Sequence, residues 1–214
     1  MKLSVIIPAH NEEGSIQSTG SRITEKLEQE EVDHEIIIVN DNSDDGTETM
    51  IEAMAQVNPD IRLANNPPPN GFGFAVRTGL HAATGEAVVI VMADAADDPD
   101  DIVTYYRKLE EGYDCVFGSR FIKGSTVSNY PYHKLLLNRM ANLFVRVMFG
   151  LRYNDVTNAF KAYRREVIDG VKPILSHHFN LTVELPLKAI VRGYSYAVVP
   201  IHWRGRESGI SKLK

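Results

Sequence analysis

With 214 residues, 43% hydrophobic and 24% charged, the chain has the length and composition to bury a full core. Its one cysteine, Cys115, excludes an internal disulfide and a cysteine metal site, and with no apolar run of about 18 residues a bilayer-spanning helix is excluded too. The net charge of −5 hides a division: residues 1–119 hold 7 Lys and Arg against 23 Asp and Glu, whereas residues 120–214 hold 16 against 5.

Lys2 to Pro8 reads as a buried strand stopped by its proline. A helix is expected from near Glu12 to about Glu30, with Ile16, Ile23 and Leu27 on one face. Glu35 to Asn40 is the second strand, and a helix follows Asp45-Gly46-Thr47. Ile61 to Ala64 is a short third strand. Asn66 to Asn70 holds three prolines and belongs in a loop. A third helix carries Phe74 to Ala83. Strand four is Ala87 to Met92, the helix after Pro99 runs to about Glu111, and Cys115 to Ser119 is strand five, with the cysteine in the core. This alternation predicts an α/β fold with a mostly parallel, doubly wound sheet.

Beyond Gly118 the rhythm changes. Leu136, Met140, Leu143, Phe144 and Val147 define an amphipathic helix over 133–149, with Arg139, Asn142 and Arg146 on another face. Such a stripe docks on a core or lies on lipid, and the pattern leaves both open. Phe160 to Tyr163 reads as a strand, Leu181 to Val191 as a helix, and Tyr196 to Pro200 as a last strand. The basic half suits an anion, either a phosphorylated substrate or a membrane surface. Without aromatic interleaving among its basic residues, no nucleic-acid partner is expected. A start directly on a strand pattern sets a cytoplasmic location as the expectation.

Two strands end in clustered carboxylates: Asp41, Asp44 and Asp45 after strand two, and Asp94, Asp97 and Asp98 after strand four. Ligands of open parallel sheets bind at the carboxyl ends of the strands. Two acidic turns there predict a hard divalent cation, Mg2+ or Mn2+, holding a nucleotide diphosphate. Asp44 and Asp45 also suit a cap of the following helix, as Asp97 or Asp98 suits the helix at Pro99. Asp94 has no such structural duty. At the first strand end, His10 could stack on a base edge and Glu12 could bond to a base or ribose. Asp41 leaves the sheet as its turn opens and is the strongest ribose or base candidate. The turn from Asn70 to Arg77, with Gly71 and Gly73, is a weak phosphate signal.

Taken together, VIIPAHNE (5–12), VNDNSDDGT (39–47), GFGFAVRTG (71–79), MADAADDPDD (92–101), GSRF.KG (118–124), TNAFKAYRREV (157–167), FNLTVELPLKAIVRGY (179–194) and R.SG.SKL (206–213) resemble glycosyltransferase family 2. The likeness is greatest to its dolichyl-phosphate mannosyltransferase-like branch. It implies one GT-A domain over 1–214, with a nucleotide-sugar half (1–119) and an acceptor half (120–214). It also implies inverting transfer of a hexose, mannose or glucose, from a GDP- or UDP-sugar to a polyprenyl phosphate, by an enzyme peripheral to the membrane. Pro8, Ala9, His10, Glu12, Asp41, Gly73, Arg77, Ala93 and Asp94 would then hold the nucleotide sugar. Asp94 and Asp97 would hold the metal. Arg120, Lys123, Arg139, Arg206 and Lys212 would face the phosphates, and Glu184 would approach the acceptor, serving as a base if that acceptor is a sugar hydroxyl. Asp94, Glu184 and Arg120 form the expected catalytic set. The family usually shows Asp-x-Asp after strand four, but here Ala93 and Ala95 flank Asp94. Either the turn shifts by one residue and Asp94 takes the metal, or metal binding is weakened. Transfer to a saccharide hydroxyl, a nucleotidyltransferase, and an inactive sugar-nucleotide-binding protein are the alternatives.

Overall fold

The computed structural model describes residues 1–205. Strands β1 (Leu3–Ala9), β2 (His34–Asn40), β3 (Ile61–Asn65), β4 (Ala87–Ile90), β5 (Cys115–Ser119), β7 (Lys161–Arg164) and β8 (Tyr196–Pro200) form one sheet in the order β3-β2-β1-β4-β7-β5-β8. Every pairing in it is parallel except those of β7, which runs antiparallel to both β4 and β5. β1 and β2 are buried along their whole length, as continuous apolar runs covered on both faces must be.

Alternation divides the core into two layers. Val5 and Ile7 pack with Ile23 and Leu27 of α1 (Ile16–Gln29), Ile51 of α2 (Thr47–Val57) and Leu109 of α4 (Pro99–Glu110). Ile6 points the other way, toward Val76 and Leu80 of α3 (Phe72–Ala82), Ile168 of α6 (Arg165–Gly170) and Leu185 of α7 (Leu181–Val191). Cys115 is fully buried, and burial pushes its thiol pKa up, so it is a core residue. Two short strands that have no sequence periodicity, β6 (Thr126–Ser128) and β9 (His202–Arg204), pair in parallel as a separate ribbon.

Of the two readings open to the apolar stripe of helix α5 (Tyr132–Phe149), docking on the core is the one the structure rules out. Leu136, Met140, Leu143, Phe144 and Val147 are all more than half exposed. Its one buried residue is Asn142. The helix is held by its polar side: Asn142 Nδ2 and Asn138 Nδ2 both donate to Thr157 Oγ1, at 2.9 and 3.0 Å, and Thr157 N–H donates to Asn142 Oδ1 at 3.1 Å. Amide hydrogen bonds replace apolar burial at this contact, which leaves the stripe facing outward.

Candidate active site

Where β4 ends, the chain enters the loop that carries Asp94 and Asp97. Ala93 is buried, and its carbonyl accepts a hydrogen bond from Thr19 Oγ1 at 3.0 Å. Ala95 has a φ of +56°, in the left-handed region. Between these alanines Asp94 faces a cavity of about 570 Å³, which Asp97 and Asp98 also line. Asp94 is thus presented to the cavity, whereas the buried Ala93 does not line it. Asp98 caps α4 by accepting Asp100 N–H at 3.0 Å. Asp97 is buried and accepts Met92 N–H at 3.1 Å. Burial, reinforced by the charge of Asp94, pushes its pKa up to about 7, against the opposing pull of that N–H and of Arg120.

The opposite walls are residues that the strand-end pattern did not reveal. Ser15, Ser18 and Arg22 come from the start of α1, and His202, Trp203 and Arg204 from β9. β9 is pinned across the acidic loop, with Arg204 N–H donating to Ala96 O at 3.0 Å and Asp97 bridging Trp203. The lone tryptophan of the chain, followed by an arginine, was the available sequence signal.

Because β7 runs antiparallel, the loop before it reaches the same sheet edge as the end of β5. There Asp155 accepts three bonds from Arg120: from the main-chain N–H at 3.0 Å, Nε at 2.8 Å and Nη2 at 2.7 Å. Both side chains are buried. Tyr153 OH and Asn158 Nδ2 donate to Gly118 O, and Lys161 Nζ donates to Val156 O and to Asn158 O. Burial lowers the Lys161 pKa to about 7, although Asp155 pulls it upward. Arg120 lies 5.3 Å from the Phe121 ring centroid and 5.8 Å from those of Tyr130 and Trp203. Arg139 of α5 sits over the other side of this cluster, 4.4 Å from Phe121. Lys123 is exposed nearby in sequence, and Arg206 and Lys212 lie outside the described residues.

At the first two strand ends, Pro8, Ala9 and Asp41 are buried. Asp41 accepts Asn66 Nδ2 at 2.7 Å and Gly71 N–H at 2.8 Å, and His10 Nδ1 meets Asp41 O at 2.8 Å. Ser15 Oγ donates to Glu12 Oε2 at 3.1 Å, so Glu12 reaches the α1 side of the cavity. Just before α2, whose N-cap position is Gly46, Asp45 accepts Thr47 N–H at 3.0 Å.

The glycine-containing turn uses two of its backbone donors within the protein. Gly71 N–H is taken by Asp41, and Gly73 N–H by His177 O at 3.0 Å. A Cβ on Gly73 would stand 2.3 Å from Ser176 O, so this glycine allows the 174–178 segment to approach closely. Arg77 donates to Ile174 O at 2.7 Å. Glu184 holds the same segment, accepting Leu175 N–H at 2.8 Å and Ser176 N–H at 2.6 Å, and it pairs with Lys188. Although partial burial would raise its pKa, those bonds and Lys188 hold it down at about 2. Glu184 is thus engaged by two main-chain N–H groups and a lysine. It also does not line the Asp94 cavity.

A mostly parallel sheet flanked by helices, with an acidic loop opening on a cavity at the strand ends, defines a GT-A nucleotide-diphospho-sugar transferase fold. The same fold is seen in glucosyl-3-phosphoglycerate synthase from Mycobacterium tuberculosis. The structure solved with Mn2+, uridine diphosphate and phosphoglyceric acid matches 98% of this chain and 72% of that one, at TM-score 0.75 and 22% identity. The structure with Mg2+ and uridine diphosphate matches equally well, at TM-score 0.75 and 22% identity. The family model for glycosyl transferase family 2 matches residues 4–171. The chain belongs to that family and is a glycosyltransferase. It is 31% identical to the polyprenol monophosphomannose synthase of Mycolicibacterium smegmatis, over 98% of this chain and 80% of that protein. It is 32% identical to the dolichol-phosphate mannosyltransferase of Pyrococcus furiosus, over all of this chain but 60% of that longer protein.

Proposed function

We propose that this enzyme transfers a hexose, mannose or glucose, from a GDP- or UDP-sugar to a polyprenyl phosphate at a membrane surface, with inversion at the anomeric carbon. One observation carries the reading. The exposed apolar face of α5 and the acidic cavity are joined by a single cluster of cations and aromatic rings, running from Arg139 through Phe121, Arg120 and Tyr130 to Trp203. A lipid lying along α5 would present its phosphate to that cluster, beside the donor. α5 carries Lys134, Arg139 and Arg146 and no carboxylate, which favours an anionic surface. No helix among the described residues is long and apolar enough to cross a membrane, and the contact proposed for α5 is a peripheral one.

The donor set fits a divalent cation. Asp94 and Asp97 are hard oxygen ligands that line one cavity. Among the described residues no three His, Cys, Asp or Glu side chains converge on a metal position. Two carboxylates suit Mg2+ or Mn2+, which keep water and diphosphate oxygens in their shell. When bound, such an ion stabilises charge on the departing diphosphate. Arg120 adds positive charge from behind the loop, and Asp155 fixes its position. The donor would sit against residues 1–119 and the acceptor against residues 120–214. During transfer the bond from the anomeric carbon to the diphosphate breaks as a bond to the acceptor oxygen forms. A phosphate monoester is already ionised near neutral pH, so this acceptor requires no general base.

The test supplies labelled GDP-mannose or UDP-glucose, polyprenyl phosphate in anionic vesicles, and Mn2+ or Mg2+. Labelled lipid and stoichiometric nucleoside diphosphate are the expected products. Transfer only to soluble saccharides would replace the lipid acceptor, and nucleotide binding with no transfer would support the inactive alternative. Asp94→Ala is expected to lose most turnover with its fold intact; near-normal turnover would overturn the metal assignment.

A further inference from the structure

Helix α5 is attached to the rest of the chain by a polar joint that the proposed lipid contact does not by itself require. Asn142, only 2% exposed, and Asn138 both donate through Nδ2 to Thr157 Oγ1, at 2.9 and 3.0 Å, and Thr157 N–H donates back to Asn142 Oδ1 at 3.1 Å. Apolar burial also holds helices, but it is non-directional, whereas hydrogen bonds weaken steeply when bent. Bonds from two turns of the helix to one threonine fix both where α5 lies and how it is rotated.

The segment that carries this threonine is tied at every residue from 153 to 158. Tyr153 OH and Asn158 Nδ2 donate to Gly118 O at 2.9 and 3.2 Å. Asn154 accepts Ser119 Oγ at 2.6 Å and donates to Phe121 O at 3.1 Å. Asp155 takes its N–H bonds from Arg120. Lys161 Nζ donates to Val156 O and Asn158 O, the carbonyls on either side of Thr157. The segment therefore holds α5 on one side and residues 118–121 on the other, with Thr157 only two residues from the partner of Arg120. Arg139, next to Asn138 on α5, completes the connection 4.4 Å from the Phe121 ring. The exposed stripe of α5 and the Arg120 guanidinium are thus held in one geometry.

We infer that Asn142 and Thr157 are positioning residues for the acceptor: their joint keeps the surface-bound helix in register with Arg120, so that a prenyl phosphate taken from a membrane meets the donor. The inference rests on the glycosyl-transfer reading above. Neither residue touches substrate in this role.

The experiment measures transfer from GDP-mannose and UDP-glucose, with MnCl2, to two acceptors: a long polyprenyl phosphate in anionic vesicles and a short, water-soluble prenyl phosphate. It compares wild type, Thr157→Ser, Thr157→Val, Asn142→Leu and the double variant of the last two, and follows nucleotide affinity and vesicle co-sedimentation in each. Thr157→Val strands the two amides but keeps the main-chain bond. It should lower kcat/KM for the vesicle acceptor by about tenfold or more, as small misplacements of a reacting group do. Transfer to the soluble acceptor, nucleotide affinity and vesicle binding should stay near wild type. Thr157→Ser keeps the hydroxyl and should keep vesicle transfer. Asn142→Leu should show the same split, and the double variant should lose no more than the worse single one, because both act through one joint. Equal losses on the two acceptors would mean that the joint only holds the fold, and would overturn the positioning role. Additive losses, or a loss fully explained by weaker vesicle binding, would overturn it as well, as would normal vesicle transfer by Thr157→Val. A wild type that transfers to neither acceptor overturns the glycosyl-transfer reading instead, and this inference with it.

Discussion

Asp155→Ala probes the ion pair behind the cavity. The Asp155 side chain is fully buried and that of Arg120 is 7% exposed, and three N–H groups of Arg120 converge on the one carboxylate. Removing the carboxylate strands a buried guanidinium, a loss of about 3–5 kcal/mol. For a chain of this length the unfolding entropy is about 0.45 kcal/mol/K, so the thermal midpoint should fall by roughly 7–11 °C. Differential scanning calorimetry measures it. The double variant Asp155→Leu with Arg120→Met removes both charges together and should recover most of the loss in stability, but not turnover, because Arg120 would be gone from beside Asp97. A fall of less than about 2 °C in Asp155→Ala would refute the argument, since the stranded charge would then have found water.

Gly73→Ala places a methyl group 2.3 Å from Ser176 O and should lower the midpoint clearly; an unchanged midpoint would mean that the 174–178 segment yields freely. Glu184 has a folded pKa of about 2, below its unfolded value of about 4.3, so its stabilisation is full above that value and is lost as pH falls through about 2. Glu184→Gln should therefore be less stable than wild type at neutral pH and converge with it near pH 2, while the pH profile of turnover between about 5 and 9 stays in place. A lost alkaline or acidic limb in that profile would identify Glu184 as a base. Leu137→Ser with Phe144→Ser alters side chains that are 64% and 62% exposed, so stability should be unchanged while co-sedimentation with anionic vesicles drops sharply. Undiminished sedimentation would remove α5 from the proposed membrane contact.

Some of this arrangement was legible because it is written in short stretches. The apolar runs of β1, β2, β4 and β5 mark buried strands wherever they fall in the sheet. Asp98 caps the helix that begins at the next residue, and Asp45 accepts the N–H of the first residue of α2. Asp94 stood out because no local duty accounted for it, and it does face the cavity. The partners of the turn at Gly71 and Gly73 were hidden for the opposite reason. Its backbone donors are satisfied by Asp41 and by His177, about 30 and 100 residues away in the chain. Glu184 looked available on a helix, but its partners are the main-chain N–H groups of a loop that shows no pattern.

Local periodicity and end signals thus determined the strands of the seven-stranded sheet, most of the helices, the acidic turns and the charge division between the two halves. Only the tertiary structure decided that β7 runs antiparallel and so brings Asp155 to Arg120, that β9 closes the cavity with His202 and Trp203, and that α5 docks by its asparagines and keeps its apolar stripe outside. The physical reason is range. Hydrophobic period and capping act over a few residues and leave a trace there, whereas an ion pair or a short ribbon is defined by partners that only the completed sheet brings together.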